Sequence, residues 1–250
     1  MEIILPQWGT PLTMIGALST TRACGFSTAP YDDGQGAGGL NLATHVGDEP
    51  ETVQRNRAQL QRHLPSEPAW LTQVHGTTVV DAATLTGPVE ADASFTTQPG
   101  VVCAILTADC LPVLLADKGG KVVGAAHAGW RGLAGGVLQN TIAQMQAAGG
   151  TELFAWLGPA IGPAHFEVGE DVRQAFADHS SSAAAAFKSL AGRPGKYLAD
   201  LYGLATDTLH RAGVAAVQGG RLCTVAEPHR FYSYRRDGVT GRMATLIWLR

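Results

Sequence analysis

The sequence predicts a mixed α/β (α+β) fold, a single-domain layered sandwich over residues 1–250 in which mixed β-sheets are flanked by helices. Hydrophobic residues make up 45% of the chain and charged residues 16%, a composition typical of globular proteins. A chain of 250 residues is long enough to bury a full core without disulfides. Strand-like and helix-like segments follow one another without regular βαβ alternation, which favours mixed sheets over a doubly wound parallel sheet.

In the first half of the chain, strands are predicted by short runs of β-branched residues and leucine that end at turn residues. A helix is predicted over residues 51–63, because Pro50 stands directly ahead of it and proline is favoured at a helix start. The pairs His75-Gly76 and Gly119-Gly120 predict sharp turns between strands. The predicted strands cover residues 15–21, 70–74, 77–81, 101–107, 111–116 and 121–127.

In the second half of the chain, apolar residues at helical spacing predict two amphipathic helices. The first covers residues 133–148, with an apolar face of Leu133, Val137, Leu138, Ile142 and Met145. The second covers residues 199–212, with an apolar face of Leu201, Leu204, Ala205 and Leu209. A further helix is predicted over residues 170–178, and strands over residues 154–157 and 243–249.

Composition and charge exclude several classes of partner. The formal net charge is −3 and no basic stripe is present, so we expect no nucleic-acid partner. The first residues lack the basic region and continuous apolar run of a secretory signal, and no run is long enough to span a bilayer. We therefore expect a cytoplasmic protein, for which a monomer and a homodimer fit equally well. The few scattered cysteines are expected to be thiols or ligands: Cys24, Cys103, Cys110 and Cys223.

Three segments each place a metal-ligating residue where an apolar run ends, and they read TQVHG, TADCLP and AAHAGWRG. Their candidate ligands are His75, Cys110 and His127. Two imidazoles and a thiolate suit zinc, or copper, better than magnesium or calcium. Three protein ligands would leave a fourth position open, which is typical of a catalytic site. The alternative is that Cys110 fills the core and each histidine is a hydrogen-bonded core residue; Cys103, within an apolar run, is interpreted as packing.

Longer stretches of the sequence resemble one known family. The segments TQVHG, TADCLPVLLAD, AAHAGWRG, FEVG and FYSYRRDGVTGRMA resemble the YfiH-like laccase-domain family, which includes proteins called polyphenol oxidase and peptidoglycan editing factor. The resemblance implies a layered α/β sandwich and a zinc ion held by His75, Cys110 and His127. It also implies phosphorolysis of adenosine, inosine and methylthioadenosine, with adenosine deamination. The chain departs from the family at Ala164 and His165, where cysteines are frequent.

A purine nucleoside substrate makes further demands on the chain. Phosphorolysis passes through a cationic sugar, so a phosphate site is needed, and guanidinium groups suit it. Arg131 stands at a predicted helix start, where anions are favoured. Deamination needs an activated water and a carboxylate that moves protons. The predicted catalytic residues are Asp109, Cys110 and Arg131, and the predicted substrate-binding residues are Arg22, Asn41, Asp92 and Arg235.

Two of these residues have a second interpretation. Asp92 could instead orient a ligand imidazole, and Arg235, next to Arg236 and Asp237, could belong to a solvated turn. Among the remaining histidines, His45 is the strongest candidate for the site because it lies in a matching motif, NLATHVGD.

Three alternative functions stay open at this stage. A copper-dependent polyphenol oxidoreductase is one, although a multicopper site needs many imidazoles in His-X-His pairs and this chain has 8 histidines and no such pair. A single copper (Cu²⁺) in place of zinc (Zn²⁺) remains compatible with the ligand set. A hydrolase would use Cys110 as nucleophile and His127 as base. A non-catalytic editing or binding partner in peptidoglycan precursor synthesis is the third.

Overall fold

The computed structural model describes residues 1–177 and 181–250. Within these residues the strands are β1 (Ile3–Ile4), β2 (Ile15–Thr20), β3 (Ala23–Ser27), β4 (Val79–Asp81), β5 (Ala93–Thr96), β6 (Val102–Thr107), β7 (Leu111–Asp117), β8 (Val123–Ala128), β9 (Leu153–Leu157), β10 (Glu167–Gly169), β11 (Phe187–Ser189), β12 (Lys196–Ala199), β13 (Ala216–Gly219) and β14 (Met243–Leu249). The α-helices are α1 (Pro50–Gln61), α2 (Trp130–Gly135), α3 (Val137–Ala147), α4 (Glu170–Ala177), α5 (Leu201–Arg211) and α6 (Tyr234–Asp237).

The described strands form one large mixed sheet and two smaller sheets. The largest has the order β13-β9-β7-β8-β5-β4, in which β13 pairs with β9, and β4 with β5, in parallel. A second sheet has the order β1-β2-β14-β6 and is antiparallel throughout. A small antiparallel sheet has the order β10-β12-β11. Parallel and antiparallel pairs are therefore mixed within one sheet.

The two larger sheets pack face to face, and alternation of side chains along their strands explains the layers. Cys103 and Ile105 of β6 face the large sheet, where they pack in one cluster with Leu114, Val123 and Trp156. The neighbouring residues of β6 point to the other side and pack with Leu60 of α1 and the loop containing Leu40 and Leu42: Val102, Ala104 and Leu106. Both faces of β6 are buried, so its sequence is apolar without interruption.

Helices cover the outer face of the large sheet. The apolar faces of α3 and α5 pack in one cluster with Leu111, Val113 and Leu115 of β7. The order of layers is thus helix α1, the β1-β2-β14-β6 sheet, the large sheet, and the helices α3 and α5. This confirms the predicted fold class of mixed sheets flanked by helices. No helix in residues 1–177 or 181–250 is long and apolar enough to cross a membrane.

Most predicted elements are present, with small shifts at their ends. Strands lie at the predicted positions near residues 15–21, 101–107, 111–116, 121–127, 154–157 and 243–249, and helices near 51–63, 170–178 and 199–212. Helix α4 is described as far as Ala177, and Asp178 of the predicted helix lies outside the described residues. The predicted strand over 77–81 is shorter and covers only Val79–Asp81.

The strand predicted over residues 70–74 is wrong. This segment follows the free edge of β6, but it makes only isolated bridges, at Ala69 with Cys103 and at Thr72 with Glu90. The side-chain amide of Gln73 replaces the backbone hydrogen bonds that a neighbouring strand would make. It donates to the Leu106 carbonyl and accepts from the Leu106 N–H, both at 2.8 Å. The segment thereby covers a sheet edge without becoming a strand.

The helix predicted over residues 133–148 is two helices. Gly136 has φ of +100°, a left-handed conformation that ends α2 and directly precedes α3. Its N–H donates to the carbonyls of Gly132 and Leu133 and so closes the last turn of α2. The interruption lets α2 start at Trp130, next to the candidate ligand His127.

Candidate metal and substrate site

Three separate segments bring His75, Cys110 and His127 together. Their ligand atoms all lie within 4.8 Å of one another. His75 lies in the turn before β4, Cys110 in the connection from β6 to β7, and His127 near the end of β8. The Cys110 Sγ and His75 Nε2 atoms are 3.7 Å apart, and the centroids of the two imidazole rings are 4.8 Å apart. The predicted convergence of these three side chains is thus present in the fold.

Asp92 forms hydrogen bonds with two of these three residues, His75 and His127. Its side chain is fully buried, and its Oδ1 atom lies 2.7 Å from His127 Nδ1. The same carboxylate accepts the backbone N–H groups of Val74, His75 and Gly76, at 3.2, 2.9 and 2.6 Å. These bonds hold the turn in which His75 adopts φ of +60°, an uncommon conformation for a residue other than glycine. With Nδ1 bonded to a carboxylate, the Nε2 atom of His127 is left to act as a ligand.

The connection that carries Cys110 is held by its neighbour Asp109. Asp109 has φ of +92°, and its carboxylate accepts the Thr224 hydroxyl at 2.5 Å and the Arg235 backbone N–H at 2.6 Å. Its backbone carbonyl accepts the N–H of Ile161 at 2.9 Å. Contacts from three distant positions in the chain therefore hold the three residues that join β6 to β7, and with them the position of the thiol.

Gly129 provides space for the ligands. A Cβ atom at this position would lie 2.9 Å from Cys110 Sγ and 3.1 Å from His75 Cδ2. Such distances are too short for ordinary packing, so a side chain here would displace the two candidate ligands. The glycine in the AAHAGWRG segment is explained by this close approach.

Charge and hydrogen bonding favour a thiolate at Cys110. Burial by itself would raise the pKa of the thiol, but hydrogen bonds and charge from His127 and His75 lower this pKa to about 6. Burial would likewise lower the pKa of His127, but Asp92 and Cys110 outweigh it and raise that pKa. The pKa of Asp92 is lowered in spite of its burial, because His127 and backbone N–H groups stabilise the carboxylate.

The donor set fits a transition metal. Two imidazole nitrogens and a thiol of lowered pKa are borderline-soft ligands of the kind that zinc and copper prefer. The carboxylate–histidine contact of Asp92 with His127 is also the usual support for a metal-ligating imidazole. Among the described residues, this is the one group of three histidine, cysteine or acidic side chains close enough to share an ion.

Two adjoining cavities meet at this group. The first, here called the polar lobe, has a volume of about 390 Å³ and is lined by His45, Gln73, Arg242 and all three candidate ligands. The second, here called the aromatic lobe, has a volume of about 250 Å³ and is lined by Trp130, Phe166, Ile161, Leu201, Arg131 and Arg235. Both are lined by His75, Ala108, Cys110 and Tyr234, which form their shared boundary.

The predicted catalytic and substrate residues fall into two groups. Asp109, Arg131 and Arg235 line the aromatic lobe. The Arg131 guanidinium stacks on Trp130, with its Cζ atom 4.4 Å from the ring centroid. Arg235 donates through Nη1 to the Glu167 carbonyl at 2.7 Å, and its Cζ atom lies 5.4 Å from the Phe166 centroid. These three residues are placed where a substrate could reach them.

Arg22, Asn41 and Asp92 are buried inside the protein. Arg22 donates to the carbonyls of Asp32 and Pro228 and is 5% exposed. Asn41 is fully buried, and its Oδ1 atom accepts the backbone N–H of Arg242 at 3.0 Å. Neither residue lines the polar or the aromatic lobe, and Asp92 is occupied by His127 and the His75 turn. The structure thus places these three predicted substrate-binding residues inside the protein, away from the lining of both lobes.

Sequence reasoning missed several residues of the lobes, including the aromatic side chains of Trp130 and Phe166, and two of the missed residues share one matched segment. Arg242 lines the polar lobe and Tyr234 lines both lobes. Both lie in the FYSYRRDGVTGRMA segment, so the resemblance marked the segment without indicating which side chains face the cavity. His45, the strongest of the remaining histidine candidates, does line the polar lobe.

A layered α/β sandwich with a His-Cys-His group at the boundary of two cavities defines the class as a laccase-domain protein. The chain belongs to the family described as multi-copper polyphenol oxidoreductase laccase, whose model matches residues 16–250. This confirms the family that the sequence motifs resemble.

Individual relatives cover nearly the whole chain. A purine nucleoside phosphorylase of Pseudomonas aeruginosa is 49% identical over 246 residues, which are 98% of either chain. Purine nucleoside phosphorylase YfiH of Escherichia coli is 48% identical over 254 residues, covering 99% of either chain. A crystal structure of a Neisseria meningitidis protein is 51% identical, with a TM-score of 0.91 over 99% of this chain and 98% of that one.

Proposed function

We propose that this protein is a purine nucleoside phosphorylase that holds a zinc ion with His75, Cys110 and His127. The observation that carries the proposal is the position of this group at the boundary between the polar and the aromatic lobe. The names of relatives 49% and 48% identical over almost the whole chain support the same activity. The substrates are a purine nucleoside and phosphate, and the same site also deaminates adenosine and accepts methylthioadenosine.

The reaction exchanges the glycosidic bond for a phosphate ester. An oxygen of hydrogen phosphate bonds to C1′ of the ribose, the bond from C1′ to the purine nitrogen breaks, and the purine keeps its electron pair. The proton of hydrogen phosphate passes to the purine, so the products are the free base and ribose 1-phosphate. A bound zinc ion would supply Lewis acidity at the boundary of the lobes.

The chain's own residues position the substrate. Trp130 and Phe166 offer aromatic faces to a planar purine, while Arg131 and Arg235 offer N–H donors at the same lobe. Asp92 keeps His127 and the His75 turn in place. Asp109 is the one carboxylate among the described residues that line either lobe, so it is the residue we assign to proton transfer in deamination.

Product analysis tests the proposal. Zinc-loaded protein is incubated with inosine, adenosine or methylthioadenosine, with and without phosphate, and products are separated by chromatography. We expect phosphate-dependent release of free base with all three, and slower, phosphate-independent formation of inosine from adenosine. Cys110→Ser should lose zinc and activity together, while Cys24→Ser, which changes an exposed thiol elsewhere, should keep both. Absence of free base under every condition would rule out the phosphorylase.

A Cys–His hydrolase, with Cys110 as nucleophile and His127 as base, is the second candidate, favoured by the position of the thiol within 4.8 Å of the imidazole nitrogens. The two candidates differ in their dependence on metal, because a thiolate bound to zinc is not a free nucleophile. Thorough chelation followed by zinc, copper or no addition separates them. Activity that survives chelation supports the hydrolase; activity restored by zinc supports the phosphorylase; phenol oxidation restored only by copper supports the oxidoreductase.

A further inference from the structure

Arg242 is a half-buried cation that faces the polar lobe. Its Nη1 atom donates to the carbonyls of Thr240 and Gly241, at 2.9 and 3.0 Å. Its backbone N–H donates to the buried amide of Asn41, which fixes where the side chain starts. Neither Nε nor Nη2 has a hydrogen-bond partner among the described residues. The guanidinium is thus anchored through Nη1, while its other two nitrogens keep their donor capacity.

Arg242 makes no ion pair with a described carboxylate, a feature it shares with Arg131 and Arg235 of the aromatic lobe, whereas several other arginines of the chain are paired. Arg230 and Arg236, for example, pair with Glu227 and Asp237, at 2.6 and 2.7 Å. Burial lowers the pKa of Arg242, and the charges of Cys110 and Asp109 only partly offset this effect. A partly desolvated cation without an acidic partner is stabilised by binding an anion.

His45 is the second donor of this lobe. Burial, Arg242 and Arg57 lower its pKa, which favours a neutral imidazole with one N–H donor. Gln73 cannot serve in the same way, because its amide is committed to both backbone groups of Leu106. Among the described residues, Arg242 and His45 are therefore the nitrogen donors of the polar lobe, other than the candidate ligands, that have no partner for at least one N–H group, and the hydroxyls of Thr107 and Tyr234 also line this lobe.

The aromatic lobe has a different character. Trp130, Phe166, Ile161 and Leu201 give it an apolar and aromatic lining, and its two guanidinium groups lie over Trp130 and Phe166 at 4.4 and 5.4 Å, closer than Arg242 lies to Tyr234, at 6.0 Å. Such a lining suits the face of a purine. Phosphorolysis requires base and phosphate on opposite sides of the ribose C1′ atom, and two adjoining lobes with a shared boundary at Cys110 and Tyr234 supply two such compartments.

We propose that the polar lobe is the phosphate subsite, with Arg242 as its cation and His45 as its second donor, and that the purine occupies the aromatic lobe. The assignment rests on the proposed phosphorylase function. In the reaction as balanced above, Arg242 holds the phosphate whose oxygen bonds to C1′. Asn41 is a positioning residue that acts through the backbone of Arg242.

Steady-state kinetics with varied inosine and phosphate test the assignment. Arg242→Gln should raise the KM for phosphate about 10- to 100-fold, because it removes charge-assisted hydrogen bonds. The KM for inosine should change much less, and Arg242→Lys should recover part of the phosphate affinity. Arg55→Gln, which removes a guanidinium that stacks on Phe26 outside both lobes, is the matched control and should match the wild type. On the other side, Arg131→Gln should raise the KM for inosine and leave that for phosphate near the wild-type value.

A direct measurement of phosphate binding distinguishes failure of the proposed subsite from failure of the proposed phosphorylase activity. Calorimetric titration with inorganic phosphate alone measures the subsite without turnover, and zinc content checks that each variant keeps its site. If the wild type turns over and Arg242→Gln leaves the KM for phosphate unchanged, the subsite is overturned and the phosphorylase stands. If the wild type binds phosphate through Arg242 without any phosphorolysis, the phosphorylase fails and the anion subsite stands. A rise in phosphate KM with Arg131→Gln, or a wild type that neither binds phosphate nor turns over, overturns the assignment.

Discussion

Asp92 accepts four hydrogen bonds, one from a candidate ligand imidazole and three from the turn that carries another ligand. At the scale of single residues, this one fully buried carboxylate links His127 to the turn that carries His75. We therefore expect the geometry of the ligand group to depend on Asp92.

Replacing Asp92 by Asn should separate this orienting role from simple burial. The amide nitrogen would face N–H donors, so we expect a loss of about 1–3 kcal/mol in the free energy of unfolding. Zinc affinity should fall about 10- to 100-fold, as is usual when a hydrogen-bond partner of a ligand is removed. Competition with a chromophoric chelator measures the affinity. Asp117→Asn, which changes another fully buried carboxylate that accepts backbone N–H groups, should destabilise the protein and leave zinc affinity intact; an equal loss in both variants would contradict the orienting role.

The close approach of Gly129 to two candidate ligands leads to a second prediction about a single residue. Its φ of −59° and ψ of 156° are open to alanine, so Gly129→Ala should fold. The added Cβ, 2.9 Å from Cys110 Sγ, should push the thiol away and lower zinc affinity about tenfold or more. Metal content after dialysis against a buffered zinc concentration measures this. Gly87→Ala, where the new Cβ meets nothing within 4 Å, is the control, and unchanged zinc content in Gly129→Ala would show that the space is not needed.

The ligand residues could be predicted from sequence because each stands at the end of an apolar run. The contact of Asp92 with a ligand imidazole was one of the two interpretations offered for this residue, but its three bonds to backbone N–H groups could not be predicted, because such groups carry no signature in the sequence. Arg242 was missed for a similar reason. Its segment was recognised, but the direction of a side chain depends on contacts with Asn41, 201 positions away.

At the scale of elements, Asp117 at the end of β7 joins that strand to two neighbouring loops. Its carboxylate accepts the backbone N–H groups of Lys121 and Thr151, at 3.2 and 2.9 Å. Burial would raise the pKa of this group, but these backbone hydrogen bonds outweigh it and lower the pKa. The folded state therefore prefers the ionised carboxylate, and the strand end is held most firmly above the ordinary pKa of aspartate.

This preference gives a pH dependence with a definite sign. A carboxyl group whose pKa is lower in the folded state stabilises the fold above its unfolded-state pKa of about 3.9, and the contribution is lost as the pH falls through the lowered pKa. Asp117→Asn should thus cost about 1–3 kcal/mol at pH 7 and progressively less below pH ~4. Urea unfolding of the two metal-free proteins at several pH values measures the difference. A gap that stays constant from neutral to acid pH would show that ionisation of Asp117 does not matter.

The predicted elements succeeded where a strand is buried on both faces, as in β6 and β7, because such strands are apolar throughout. Short strands were missed where glycine, alanine and serine dilute the pattern, as in β3 and β5. The wrong strand prediction over residues 70–74 also comes from relying on the local pattern of residues, which in this case was strong and not weak. A local apolar run looks like a strand, but the side chain of Gln73 satisfies the neighbouring edge instead.

At the scale of the whole molecule, the site exists because distant segments meet at the ends of strands. Asp109 and Thr224 are 115 positions apart, and Asp109 and Arg235 are 126 apart, yet they bond directly. The mixed sandwich could be predicted from the order of elements, whereas the pairing of β14 between β2 and β6 could not, since strand order is decided by long-range packing. The division into a single domain over residues 1–250 stays a prediction.

Metal removal tests how strongly the site is coupled to the whole fold. The three ligands come from a turn, from the connection between β6 and β7, and from the end of strand β8, so an ion that binds only the folded chain should stabilise the whole structure. With free zinc buffered at 100 times its Kd, the stabilisation is about 2.7 kcal/mol, which for a chain of this size raises Tm by about 5–10 °C. Differential scanning calorimetry of chelated and zinc-buffered protein measures the shift.

Variants decide whether that shift comes from the proposed site. Cys110→Ser should lose most of it, since a hydroxyl is a poor substitute for a thiolate ligand. His210→Ala removes an exposed imidazole of α5 and should keep it in full. Zinc binding to unfolded thiols would reduce the shift in every variant alike, so the comparison at one buffered zinc concentration isolates the folded site. Identical shifts in Cys110→Ser and the wild type would place the bound zinc elsewhere, and the proposal that His75, Cys110 and His127 share one ion would then be wrong.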